Sequence, residues 1–360
     1  VIRVGVIGCG RIVLSGHAAA LLATPGVAVV AVADPSPAQR DAVADRLGVP
    51  PGRRYDSAEA LLAAGGVDVV DVAVPHAHHL AVVLAALAAG VHVLSEKPLG
   101  ATVAEIDEMA AAAGAAGVGL AVCHNRLFDP RFAAAVAAVR AGRIGRVFAV
   151  RLESPTGGWW AGAAGYDPSW RTRAALSRGG CLLDNGYHGI YLAEALAGSP
   201  IVEVYARTST AVHAIDVDDT AFVLATHASG ATTSLQVAWS AAGDGTAVHE
   251  AYGDAGTVAV GRPGTPLAIF DAAGWSAPPV DAGDGWGFTG LFAATLPALA
   301  AGLPVPAGVA EGRHVIEVLD GAYRSSATGR PVEVGSAPVA PVPAAAPVPP
   351  PAAAAGEQAA

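Results

Sequence analysis

The chain has 360 residues and a net charge of −10, enough length for two domains and too little basic character for a phosphate-rich nucleic-acid partner. Apolar residues make up 53%, yet Gly, Pro, Asp and His interrupt every apolar run before it reaches membrane-spanning length, which argues against a transmembrane helix and a membrane partner. Cys9, Cys123 and Cys181 lie too far apart for a paired metal motif or a dense disulfide framework and read as reduced, buried thiols.

The first residues form a buried-strand pattern rather than a basic region followed by a cleavable apolar segment, so the expectation is a cytoplasmic protein. That strand runs into Gly8-Cys9-Gly10-Arg11-Ile12-Val13, and a helical pattern follows through Leu22. In a strand, glycine turn and helix, the backbone can approach a pyrophosphate and the helix N-terminus supplies donors, which points to a dinucleotide site at Gly8, Gly10, Arg11 and Ile12. Val13 replaces the third glycine of the usual pattern, so helix and strand pack less closely there. A second strand, residues 27–33, ends in Asp34, placed to accept hydrogen bonds from ribose hydroxyls and to repel a 2′-phosphate, which favours NAD over NADP.

Residues 67–74 read as a parallel strand, 79–89 as a helix and 91–94 as the next strand. Directly after it stands Lys97, the only lysine in a chain that otherwise uses arginine. An amine can lose its proton and take part in acid-base chemistry where a guanidinium cannot. At a strand's carboxyl end, Lys97 and the glycine turn face the same crevice. His76, His78 and His79, beside Pro75, have no carboxylate or thiolate companions in sequence, so capping and cofactor contact are expected rather than a metal. A helix at 102–116 and a strand at 118–122 complete a first domain, residues 1–123.

The second domain, residues 124–335, opens with His124-Asn125-Arg126, a helix at 130–141 and a strand at 146–153. Short segments at 202–208, 220–227, 232–239, 248–252 and 256–260 are β-branched or alternating and predict a mostly antiparallel sheet, with helices at 288–301 and 309–325 returning onto the lobes. A loop carries Trp159, Trp160, Tyr166 and Trp170 with Arg171 and Arg173, a set that suits either a sugar pocket or an oligomer interface. Next, Asp184 and His188 stand four apart in Gly179-Gly180-Cys181-Leu182-Leu183-Asp184-Asn185-Gly186-Tyr187-His188 at a helix start, which keeps the pair close. Residues 336–360, almost all Pro, Ala and Val, read as a disordered tail.

Taken together, Gly8 to Ile12, Pro75 with His79, Glu96-Lys97-Pro98-Leu99, His124-Asn125-Arg126, the Gly179 to His188 segment and Tyr323-Arg324-Ser325 resemble the glucose-fructose oxidoreductase, inositol dehydrogenase and rhizopine catabolism (Gfo/Idh/MocA) group. The resemblance implies an α/β fold: an N-terminal Rossmann doubly wound parallel sheet and a C-terminal α+β domain with an open, mostly antiparallel sheet, assembled into a homodimer or homotetramer. It implies Lys97, Asp184 and His188 as the catalytic group, a cis Lys97-Pro98 bond, and NAD contacts from Pro75, His76, His79, Glu96 and Asn125. Arg126, Trp159, Trp160, Trp170, Arg171 and Tyr187 are expected at the substrate, a sugar, amino sugar (possibly aminoglycoside-like) or cyclitol. His188 is the candidate base, with Lys97 holding the substrate oxygen and Asp184 orienting it. His76 stands where the group commonly has Asn, and Tyr191 where a second aspartate often follows the histidine. A non-catalytic NAD-binding sensor and an NAD-dependent glycoside hydrolase are the rival readings.

Overall fold

The computed structural model describes residues 1–157, 168–243, 245, 247–281, 283 and 285–335. The first lobe runs β1 (Ile2–Ile7), α1 (Ala18–Ala23), β2 (Val27–Ala33), α2 (Pro37–Leu47), β3 (Arg54–Tyr55), α3 (Ala58–Ala64), β4 (Val69–Val72), α4 (His79–Ala88), β5 (His92–Ser95), α5 (Val103–Ala116) and β6 (Leu120–Val122). The Val-rich strands form a parallel sheet in the order β3-β2-β1-β4-β5-β6. The order reverses at β1, which pairs with β2 on one side and β4 on the other, so a crevice opens above its carboxyl end. Helix starts follow local chemistry: Ser36, Ser57 and Thr102 each accept a backbone N–H from the first turn of the helix they precede.

The second lobe contains α6 (Pro130–Arg140), β7 (Val147–Pro155), α7 (Ala174–Ser177), α8 (Tyr187–Ala197), β8 (Ile201–Ser209), β9 (Thr220–His227), β10 (Thr232–Ala238), β11 (Val248–Gly253), β12 (Gly256–Arg262), β13 (Thr265–Asp271), β14 (Gly274–Ser276), α9 (Phe288–Ala300), α10 (Val309–Thr328) and β15 (Val332–Glu333). Its nine-stranded sheet has the order β14-β13-β12-β11-β7-β10-β9-β8-β15. Every pairing is antiparallel except β7 with β10. Helices α8 and α10 cover one face, against β7 and β8. On β8 and β9 the alternation leaves Tyr205, Phe222 and Leu224 exposed on the other face.

Helix α9 returns to the first lobe, where Phe288, Leu291, Phe292 and Leu296 join Val4, Val6, Val13 and Leu94 in one buried cluster. The first sheet is therefore sealed by a helix from the far end of the chain, and the crevice lies between two lobes that share packing. Elements α2, β3, α3, α7, β13, β14 and β15 were not expected from the sequence. Among the described residues no helix is long and apolar enough to cross a membrane. All three cysteines are free and buried, as expected. The tail, residues 336–360, lies outside the described residues.

Candidate active site

A cavity of about 1140 Å³ runs from the turn after β1 to the face of the second sheet. At its first end the backbone of Gly8 has φ +92, and a Cβ there would come within 2.5 Å of the Ala73 carbonyl oxygen. Only glycine fits that turn. The next helix begins with a wide turn, Val13–His17, in which Val13 is buried. Asp34 Oδ2 accepts the Cys9 N–H at 2.8 Å and Oδ1 accepts the Ser36 N–H at 2.8 Å, so the carboxylate ties the glycine turn to the end of β2. It lines the cavity together with Gly10, Arg11, Ile12, Gln39 and Ser57. The glycine cradle and the acceptor at the second strand's end fit a dinucleotide's pyrophosphate and ribose. Gln39 lies in α2 and Ser57 caps α3, two helices missed in the sequence although Ser36 and Ser57 mark their starts.

Lys97 follows β5, and the Lys97–Pro98 peptide is cis. Its ammonium bonds Oδ1 of Asp184 and also the Asp184 carbonyl oxygen at 2.8 Å. Arg171 Nε reaches the other carboxylate oxygen at 3.3 Å. Burial alone would push the Asp184 carboxyl up; Lys97 and Arg171 overcome it and hold the group well below the usual carboxylate range. The segment that delivers Asp184 is anchored by Asp218, which accepts N–H bonds from Gly180 (2.9 Å) and Leu182 (2.8 Å) and the Tyr323 hydroxyl (2.9 Å). A Cβ on Gly180 would fall 1.9 Å from the Asp218 carbonyl oxygen, so this contact needs glycine. Asp184 then sits in a second wide turn, Leu182–Gly186, rather than in a regular helix or at a cap.

Beneath Lys97 lies a charged cluster that sequence reading did not find. His17 Nδ1 is 2.8 Å from Asp71 Oδ2, and His17 Nε2 is 2.9 Å from Glu96 Oε1. Glu96 Oε2 accepts the Lys97 backbone N–H at 3.0 Å. Burial opposes a charge on His17, but Asp71 and Glu96 outweigh it and raise its pKa to about 10. Glu96 is likewise disfavoured as an anion by burial, yet His17 brings its pKa below the ordinary value. Cys123 completes a group of His17, Glu96 and Cys123 at metal-ligand spacing. An imidazolium with both nitrogens committed to carboxylates has no lone pair to offer a metal. A charged residue inside the buried strand β4, Asp71, was the available signal.

At the second end, His188 Nδ1 lies 2.7 Å from the Tyr191 hydroxyl, which also accepts the Arg126 N–H at 3.2 Å. Burial, Lys97 and Arg126 push the His188 pKa well below that of free histidine. The Arg126 guanidinium lies over the Trp286 ring at 4.3 Å and that of Arg171 over Trp170 at 4.3 Å. Asn125 Nδ2 donates to the Trp286 carbonyl at 2.8 Å. Arg131 pairs with buried Asp129 at 2.5 Å, and with Trp286 and His249 it lines the cavity without having been predicted. All three come from segments far apart in sequence.

The expected residues Gly8, Gly10, Arg11, Ile12, Asp34, Pro75, His76, Glu96, Lys97, Asn125, Arg126, Trp170, Arg171, Asp184 and His188 all line this cavity. Two expectations are corrected. His79 is buried with Nε2 3.0 Å from the Val74 carbonyl and Nδ1 3.4 Å from Ser95 Oγ, so it holds the loop rather than the cavity wall. Tyr187 is fully buried and its hydroxyl bonds His124 Nε2 at 3.0 Å, because its position on α8 faces the core. His76 bonds the Ser177 carbonyl at 2.7 Å, and burial lowers its pKa to about 3. Trp159 and Trp160 lie outside the described residues.

Comparison with known proteins places these features in company. Residues 2–124 match the family described as "Oxidoreductase family, NAD-binding Rossmann fold" and residues 132–259 match the "GFO/IDH/MocA C-terminal domain". An inositol 2-dehydrogenase of Rhizobium meliloti is 27% identical over 92% of this chain and 99% of its own length. A D-apiose dehydrogenase of Paraburkholderia graminis is 31% identical over 65% of this chain, which spans 60% of that relative's length. The crystal structure of GenD2 from gentamicin A biosynthesis in complex with NAD superposes with a TM-score of 0.80 and 30% identity, over 93% of this chain and 97% of that one.

The His17 cluster has a measurable consequence for stability. A folded-state pKa raised from 6.5 to about 10 makes His17 contribute stability that is fully present below about pH 6.5 and lost as pH rises through 10. His17→Gln leaves two buried carboxylates without their cation and is expected to cost about 3–5 kcal/mol near pH 6.5. Urea unfolding from pH 6.5 to 10 checks this: the gap between wild type and variant should narrow steadily, and a gap independent of pH would mean that His17 is neutral in the fold.

Proposed function

Since this chain belongs to the Gfo/Idh/MocA family of NAD-binding oxidoreductases, we propose that it is an NAD-dependent dehydrogenase oxidising a secondary hydroxyl of a sugar, amino sugar or cyclitol to a ketone. The observation that carries the reading is the Lys97 and Asp184 pair, set where one cavity joins the glycine turn to the second sheet. Bound NAD supplies the acceptor for the hydride. Gly8, Gly10 and Asp34 hold its phosphate and ribose ends, with NAD favoured over NADP by the Asp34 charge. Lys97 and His188 are the groups able to exchange a proton with a substrate oxygen, and Asp184 fixes the ammonium. The rings of Trp170 and Trp286 with the guanidinium groups of Arg126 and Arg171 suit a ligand with carbon faces and a rim of hydroxyls. The likeness to GenD2, whose description names gentamicin A biosynthesis, supports an amino sugar among these classes. Because such an enzyme draws on the cell's NAD pool, the cytoplasm is its proposed location.

The apolar outer face at Tyr205, Phe222 and Leu224 supports a homodimer or homotetramer built through the second sheet. Phe222→Asp combined with Leu224→Asp should reduce the mass seen by light scattering to one chain, and an unchanged mass would place the interface elsewhere.

Activity is tested with a panel of sugars, amino sugars and cyclitols supplied with NAD, reading NADH absorbance; no turnover across the panel would remove the proposal. On the best substrate Lys97→Arg keeps the positive charge but not the exchangeable proton, so turnover should fall about 10²–10⁴-fold with NAD affinity retained. Near-normal turnover would take Lys97 out of the reaction. Asp34→Ser removes the acceptor for the ribose hydroxyls and should shift the preference toward NADP by about tenfold or more, read as the ratio of kcat/KM values. An unaltered ratio would show that the carboxylate serves the turn alone.

A further inference from the structure

His188 lines the cavity and engages the Tyr191 hydroxyl through Nδ1, which leaves Nε2 as its other nitrogen. The direction of that hydrogen bond decides what Nε2 can do. A tyrosine hydroxyl has one proton to give. The oxygen of Tyr191 already accepts the backbone N–H of Arg126 at 3.2 Å, and among the described residues Nδ1 of His188, at 2.7 Å, is the acceptor its proton reaches. The ring cannot easily turn to another partner, since Tyr191 is buried, stacked on His124 at 4.4 Å with planes 15° apart, and edge-on to Tyr187 at 6.0 Å.

We infer that Tyr191 is a positioning residue: it donates to Nδ1 and holds neutral His188 with its own proton on Nε2, so that His188 is a hydrogen-bond donor to the substrate oxygen and Lys97 is the group that exchanges the proton. The assignment of roles rests on the dehydrogenase reading above; the tautomer does not. Lys97, Arg126, Asp184 and His124 are the charged and titratable groups acting on His188, and burial with the two cations keeps the imidazole neutral in the ordinary working range. Where a carboxylate at position 191 would take a proton from Nδ1 and free Nε2 as a base, the hydroxyl does the reverse. With bound NAD supplying the hydride acceptor, oxidation would turn the carbinol C–O bond into C=O and leave the hydroxyl proton to Lys97, whose ammonium, held by Asp184, would first have released one of its own protons to water so that a free amine lone pair can receive it. His188 keeps its proton and bonds the same oxygen throughout. In the reverse direction both groups donate to the carbonyl oxygen and Lys97 gives up the proton.

Long-range ¹H–¹⁵N NMR of the full chain labelled at histidine reads the tautomer without any substrate, with the His188 signals assigned by their loss in His188→Gln. The proton should reside on Nε2 in the wild type and should redistribute toward Nδ1 in Tyr191→Phe. A wild-type proton on Nδ1, or a tautomer unchanged in Tyr191→Phe, would overturn the inference. Because the glutamine amide N–H can stand in for Nε2–H, His188→Gln should retain turnover within about tenfold of wild type, the scale of one imperfect neutral hydrogen bond. A loss of about 10² or more with folding and NAD binding intact is what removal of a general base gives, and it would overturn the donor role. Failure of the substrate panel would cancel the dehydrogenase reading and leave the tautomer measurement standing.

Discussion

The structure depends on keeping an ammonium and a carboxylate together out of water: the side chains of Lys97 and Asp184 are only 11% and 4% exposed. Removing such ions from water costs several kcal/mol each before their attraction is counted, so the pair survives only with further partners. Those partners form a line of alternating charge. Asp71 faces His17, His17 faces Glu96, Glu96 holds the backbone of Lys97, and Lys97 faces Asp184, which also takes Arg171. The line begins inside β4 and ends at the cavity, so the position of the Lys97 amine is fixed in part by Asp71 and His17, two charges buried behind the cavity wall. An apolar replacement at any point would strand its neighbours, which explains why the core of the parallel sheet tolerates three ionisable side chains.

Both functional helices begin irregularly, and for related reasons. The wide turn Val13–His17 carries His17 down to Asp71 and Glu96, and the wide turn Leu182–Gly186 carries Asp184 toward Lys97 while α8 presents His188 one turn later. A turn with one extra residue rotates the side chains that precede it relative to those that follow. Asp184 and His188 therefore do not stack as two residues four apart on a regular helix would; Asp184 points at Lys97 and His188 bonds Tyr191. Asp218, bonding the N–H groups of Gly180 and Leu182, supplies the backbone contacts that make the irregular start affordable.

What the sequence made legible was local. A glycine turn between strand and helix, an aspartate ending the next strand, and a lysine after a strand in an arginine-rich chain each carry their reason within a few residues. Helix starts capped by Ser36 and Ser57 were equally local, but the mixed burial of α2, where only Val43, Ala44 and Leu47 go inside, hid its periodicity. The missed site residues depend on distance. His17 looks like an ordinary helix histidine until it meets Asp71 and Glu96, and Trp286 matters only because α9 folds back so that Asn125 and Arg126 can reach it. The parallel pairing of β7 with β10 inside an otherwise antiparallel sheet was hidden for the same reason, since it joins strands on either side of α8, β8 and β9.

The charge of the whole chain likewise says little about its interior. Although the sum is −10, the end of the cavity against the second sheet gathers Lys97, Arg126, Arg131 and Arg171. The carboxylates near them, Asp184 and Asp129, are already committed to Lys97, Arg171 and Arg131. A ligand entering there meets guanidinium donors stacked on indole rings rather than an acidic lining. Donors of fixed direction beside flat apolar faces discriminate by the placement of oxygen atoms around a carbon ring, a matter of stereochemistry more than of net charge. Where Arg126 and Arg171 point is fixed from two sides: each lies over an indole ring, Trp286 or Trp170, and each is also hydrogen-bonded, Arg126 to the Gly285 carbonyl at 3.3 Å and Arg171 to Asp184 at 3.3 Å.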